Sequence, residues 1–114
     1  MEDKFNKFSK HWSPRVISEI NDYQFKLVKI QGEFTWHDHP NTYEVFIVIE
    51  GSMEFELRGQ KIYLSVEEMF VVPKGVEHKS LAEDEFKIMV VEPRGVFSTG
   101  DAGGQLTVPN DIWI

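Results

Sequence analysis

The sequence predicts an all-β domain, a sandwich or barrel, with one short amino-terminal helix. Glycine and proline recur at strand-and-turn intervals, at Gly32, Pro40, Gly51, Gly59, Pro73, Gly75, Pro93 and Gly95, the punctuation of many short strands. Between them the pattern has a period of two: Met53, Phe55 and Leu57 alternate with Ser52, Glu54, Glu56 and Arg58, which puts one side in a core and the other in water. The length of 114 residues supports one core and no second domain.

Taken in order, Ser13-Pro14 reads as an N-cap followed by proline at the first helical position, so residues 15–20 are expected to be helical. Residues 1–22 form an amino-terminal lead, and residues 23–98 form the β-domain. Strands are expected at 24–30, 42–49, 53–57, 61–64, 69–72, 76–81 and 86–91, with Gly59-Gln60 as the turn of a hairpin. The acidic runs Glu67-Glu68 and Glu83-Asp84-Glu85 read as solvated turns. Residues 99–104 read as a mobile loop, and residues 99–114 as a loop and apolar tail, Ile112-Trp113-Ile114, that packs on the barrel or on a partner subunit. Val45 to Ile49 is apolar on both faces, so something must cover the outward face: the amino-terminal segment, a second sheet or another subunit. A homodimer is the expected answer.

Composition removes several function classes. The net charge of −7, without a cluster of Lys or Arg, disfavours a phosphate backbone and an anionic bilayer, so neither nucleic acid nor membrane is expected as a partner. The absence of cysteine excludes disulfide scaffolds, thiolate metal sites and thiol nucleophiles. The charged amino terminus does not resemble a secretion signal, and a cytoplasmic location is expected. There is no Gly-x-Ser-x-Gly elbow, and the glycines at 100–104 lack the Gly-Lys-Ser/Thr ending of a phosphate loop.

Three of the four histidines fall in two short patterns. His37 and His39 are two apart, so in extended chain both imidazoles project from one face. Glu44 opens an apolar strand and shares its parity with Phe46 and Val48, which puts a carboxylate on an interior face, where a charge requires a partner. His78 follows the turn Pro73-Lys74-Gly75 and alternates with Val76, Ser80 and Ala82. Phe46, Val48 and Ser80 are therefore expected to line a pocket beside these groups. Phe34 and Trp36 run out of phase with the paired histidines and are expected on the opposite face, or under a neighbouring segment, rather than on the pocket lining. His11 fits no pattern and reads as structural. No Lys or Arg shares the parity of Glu44 or His78 on the expected pocket strands, which disfavours phosphorylated ligands.

These residues carry a resemblance to the cupin family. Gly32, His37, His39, Glu44 and Gly51 match its first motif, and Pro73, Gly75 and His78 its second. Gly32 stands one residue closer to the first histidine than usual, Glu67 replaces the glycine that opens the second motif, and Ala82 replaces its closing Asn. The sequence is similar to small bacterial cupins described as mannose-6-phosphate isomerase-like. The resemblance implies a double-stranded β-helix, or jelly-roll, barrel. Inside it His37, His39, Glu44 and His78 would hold one divalent transition metal, Fe, Mn, Ni, Zn or Cu, against a small organic molecule. The chemistry implied is that of a dioxygenase or a sugar or keto-acid isomerase; the competing reading is a non-catalytic module that binds or senses a small molecule.

Overall fold

The computed structural model describes residues 1–34, 36–96 and 111–114; the expected loop at 99–104 lies outside them. One helical turn, α1 (Glu2–Phe5), precedes seven strands: β1 (Arg15–Ile20), β2 (Tyr23–Glu33), β3 (Glu44–Glu50), β4 (Met53–Leu57), β5 (Gln60–Leu64), β6 (Met69–Val72) and β7 (His78–Pro93). The strands form an antiparallel jelly-roll barrel in the order β1-β2-β7-β3-β6, and the β4–β5 hairpin joins through β7.

Strand β7 is the spine of the barrel. It pairs with β2 from Tyr23↔Pro93 to Glu33↔Leu81, with a register shift between Ile30 and Gly32. Its first residues also pair with β4, from Leu57↔His78 to Glu54↔Leu81, and its later ones with β3, from Glu50↔Lys87 to Val45↔Val91. The acidic run Glu83-Asp84-Glu85 is thus the exposed middle of a continuous strand and not a turn between two. Exposure makes it look like a turn in sequence, but backbone pairing on either side carries the strand through it.

The helix expected at 15–20 is strand β1. Its residues pair with β2 from Arg15↔Leu27 to Ile20↔Tyr23, and Val16, Ile17 and Ile20 are β-branched, a type that fits a pleated surface better than a helix. Ser13 does not cap an amide with its hydroxyl. Its Oγ accepts a 2.7 Å hydrogen bond from the Arg15 guanidinium. The short helix of the lead is instead α1, with Glu2 and Asp3 in its first turn.

Inward residues of the strands make the main core, with Phe55 and Ile88 fully enclosed and Val28, Val48, Met53 and Phe86 packed around them. A second cluster lies outside the sheet. There Phe5 and Phe8 of the lead cover Leu27 and Met89, and Ile47, Ile49, Val91 and Ile114 pack against them. The amino-terminal segment therefore supplies part of the cover that the two-sided strand β3 demands. Residue Val16 receives the other end of the chain, donating its amide to the Ile112 carbonyl at 2.7 Å and accepting from the Ile114 amide at 3.1 Å.

Two turns carry backbone demands. Gly51 has φ 84°, and a Cβ there would lie 2.9 Å from the Phe86 Cβ, so the tight β3–β4 turn needs a residue without a side chain. Glu67, in the place of a motif glycine, holds the left-handed φ of 72°. Its amide donates to the Val48 carbonyl at 2.9 Å, and the Val48 amide donates to Glu68 at 3.0 Å. Those bonds fix the turn without glycine. Gly51→Ala is expected to lower stability by about 2 kcal/mol through strain and overpacking. Glu67→Gly is expected to raise it by up to about 1 kcal/mol, the left-handed strain relieved less the added entropy of the unfolded chain. Urea midpoints at unchanged slope check both.

Candidate metal centre

The two histidine patterns meet through their backbones. His37 and His78 form an isolated antiparallel bridge, with amide-to-carbonyl distances of 3.0 and 2.9 Å. The His39 carbonyl accepts from the Gly75 amide at 3.0 Å, and the φ of 77° at Gly75 explains glycine in that turn. Glu44 opens β3 opposite Val72 and points to the same interior as Phe46. The result is four side chains exposed by only 6% (His37), 5% (His39), 4% (Glu44) and 1% (His78). Each offers one ligand atom, and these atoms lie within 4.8 Å of one another.

The cluster is poorly satisfied by its own members. His39 Nε2 lies 3.2 Å from Glu44 Oε2, and His78 Nε2 lies 3.5 Å from Glu44 Oε1. Yet His39 Nε2, His78 Nε2 and Glu44 Oε1 make no hydrogen bond of proper geometry with a described residue. The His78 ring is set from behind, with Nδ1 3.0 Å from the Val76 carbonyl. A proton on Nδ1 serves that contact and leaves Nε2 a lone pair facing the cluster. Phe55 stacks on the same ring, and Phe34 meets the edge of His37. Burial works against the Glu44 charge, but Glu92, His39 and His78 around it prevail and hold its carboxyl well below the ordinary range.

A small cleft adjoins the cluster and is lined by His37, Glu44 and His78 together with largely apolar walls. Of the residues expected there, Phe46 and Ser80 are on the lining, while Val48 is buried in the core beyond it. Phe34 was expected on the far face or under a neighbouring segment, away from the pocket. It lines the cleft instead, stacked on Trp12 with ring centroids 4.5 Å apart. The strand ends at Glu33, so a parity counted across that end does not hold. Trp36 lies outside the cleft lining, beneath the Arg58 guanidinium at 3.9 Å.

Sequence reasoning missed a buried ion pair. Lys26 Nζ donates to Glu92 Oε1 at 2.7 Å, with the two side chains exposed by 2% and 3%, and Glu92 lines the cleft. Burial and the neighbouring Glu44 charge push Glu92 well above the ordinary carboxyl range, against the pull of Lys26. Lys26 comes from β2, not from the strands of Glu44 and His78, on which no Lys or Arg shares the inward parity. Gln24, Lys26, Val28 and Ile30 form one inward row on β2, as do Ile88, Val90 and Glu92 on β7. That parity was the available signal. His11, expected to be structural, pairs with Glu85 at 2.6 Å near the surface.

The sequence model of the cupin domain matches residues 25–92. The chain belongs to the cupin family. A cupin-2 domain protein of Shewanella frigidimarina NCIMB 400 shares 61% identity over 82% of this cupin and 91% of that chain, with a TM-score of 0.81. A Neisseria meningitidis protein shares 29% over 81% and 94% of the two chains, with a TM-score of 0.74. The uncharacterised protein YdbB of Bacillus subtilis (strain 168) is 35% identical over 65 residues, 56% of this cupin, which spans 58% of that protein's length. Among the described residues, no helix of the cupin is long and apolar enough to cross a membrane.

The Lys26–Glu92 pair gives the cupin a measurable liability. Lys26→Met leaves Glu92 buried beside Glu44 without its cation and is expected to cost about 3 kcal/mol. Adding Glu92→Leu is expected to recover most of that loss. Chemical denaturation of the single and double variants checks both values.

Proposed function

We propose that this cupin binds one divalent transition metal through His37, His39, Glu44 and His78 and holds a small organic molecule beside it in the adjoining cleft. The observation that carries the reading is four buried ligand atoms within 4.8 Å, on side chains of which His39, Glu44 and His78 each keep one buried atom without a hydrogen-bond partner among the described residues. A buried polar atom without a partner is costly, and a cation is the one partner that three imidazole nitrogens and a carboxylate oxygen can share. The donor set suits Fe, Mn, Ni, Zn or Cu. When bound, such a metal supplies Lewis-acid polarisation of ligand oxygen atoms, the chemistry used by dioxygenases and by sugar or keto-acid isomerases.

The chain's own residues do the positioning. The Val76 carbonyl orients His78, the His37–His78 bridge fixes two rings relative to each other, and Gly75 braces His39. Val28, Ile30, Phe46, Ile88 and Val90 give the cleft dry walls, which exclude water and strengthen polar contacts at its end.

Elemental analysis of protein purified without chelator or a nickel column is expected to show about one metal ion per chain, the stoichiometry of a single site. His37→Ala and Glu44→Ala are each expected to remove most of it. Because binding needs neutral imidazoles, the metal is expected to be held at pH 7 and lost below about pH 6, near the intrinsic histidine pKa. Stoichiometric metal in both variants, or content unchanged at pH 5, contradicts the assignment.

A further inference from the structure

Glu92 stands outside the cluster of candidate ligands, and neither cupin motif contains it. It is 2% exposed, lines the same cleft as His37, Glu44 and His78, and is held at one oxygen by Lys26 Nζ at 2.7 Å. Its other oxygen, Oε2, is buried without a hydrogen-bond partner among the described residues. A carboxyl group gripped at one oxygen by a cation, set beside Glu44 and on the lining of a largely apolar cleft, is a placed polar group of the kind by which small-molecule sites select orientation. The charge balance narrows the partner. No Lys or Arg lines the cleft among the described residues, and the Lys26 ammonium is already engaged by Glu92. A phosphate or second carboxylate on the ligand would lie beside the Glu44 carboxylate with no free cation on the lining to answer it. A hydroxyl meets the requirement, since it both donates and accepts. The rest of the ligand must suit aromatic and aliphatic walls, with Trp12 and Phe34 stacked on one side and Val28, Ile88 and Val90 also lining the cleft.

We propose that Glu92 is the specificity-determining residue of this cleft, hydrogen-bonding a hydroxyl of a flat, largely apolar ligand that carries no phosphate and whose other oxygens face the His37, Glu44 and His78 end. The inference rests on the reading of the cleft as a ligand site beside a metal. It adds the class of ligand and the group that selects it.

The experiment uses the full chain loaded with Zn(II), which is redox-inert, and two probes titrated under argon by calorimetry. Catechol offers two adjacent hydroxyls, and pyrogallol offers the same pair plus one more. Wild type is expected to bind pyrogallol about tenfold or more tightly than catechol, the worth of one hydrogen bond to a charged or strongly polar group. Glu92→Gln keeps a hydrogen-bonding end in place and is expected to retain a preference, reduced about threefold. Replacing the pair together, Lys26→Met with Glu92→Leu, removes the polar end without stranding a charge and is expected to bring the ratio to about one. A wild-type ratio near one, failure of wild type to bind either probe, or a preference that survives in the double variant overturns the role of Glu92. Zinc content measured on the same samples separates the two readings. A preserved preference in protein that holds no zinc defeats the metal assignment alone, and bound zinc with a wild-type ratio of one defeats this inference alone.

Discussion

Burying Glu44 against His39 and His78 removes four strongly polar groups, His37 included, from water in a barrel whose other inward residues are mostly apolar. Desolvation of that cluster is the constraint to which the rest of the structure answers. The groups cannot satisfy one another, because three imidazoles and one carboxylate offer more lone pairs than protons at neutral pH. The backbone meets the difficulty by rigidity. His37 is tied through its main chain to His78, His39 through its carbonyl to Gly75, and the His78 ring through Nδ1 to the Val76 carbonyl. A cluster held this firmly keeps its unmet lone pairs pointed at a common centre, which is the arrangement a metal ion requires.

Strand β7 delivers both ends of the cleft. His78 is its first residue, Ser80 follows two positions later, and Ile88, Val90 and Glu92 continue the inward row. A strand of this length changes partners along its course, from β4 to β3, while β2 follows it throughout. The β2 register shifts between Ile30 and Gly32, whose partners are Phe86 and Ala82. The exposed acidic stretch sits between those partners. Charged side chains there cost the core nothing and keep the middle of the long strand in water. The outer face is managed separately, with Phe5 and Phe8 folded over Leu27 and Met89 and Ile114 completing the cover.

Several elements were legible along the chain because their physics is local. Period-two alternation identified β4, since a one-sided strand writes its two faces into consecutive residues, and the neighbouring turn signals placed β5 and β6 with nearly correct limits. The histidine spacing placed His37, His39, Glu44 and His78 together for a related reason: the pleat assigns alternate residues to one face, and the motif resemblance brought the two segments together. The errors arose where local signals competed with pairing. Ser13-Pro14 has the chemistry of a helix start, yet β2 offers the residues after it a full antiparallel partner. Glu83-Asp84-Glu85 has the composition of a turn, yet β2 and β3 hold the strand on from Phe86. Phe34 was assigned a face by counting across a strand end, where the pleat no longer rules.

By itself, the sequence determined the all-β class, the kinship with cupins and the identity of the four groups that meet inside the barrel, because alternation and motif spacing are properties of neighbouring residues. Tertiary structure alone decided that Lys26 and Glu92 are buried as a pair, that Trp12 and Phe34 wall the cleft, and that the amino-terminal segment covers the outer face of the sheet. These outcomes depend on residues far apart in the chain, such as the 66 positions between Lys26 and Glu92. A buried charge is permitted only where the fold brings its partner within reach. No pattern in either strand alone records that meeting.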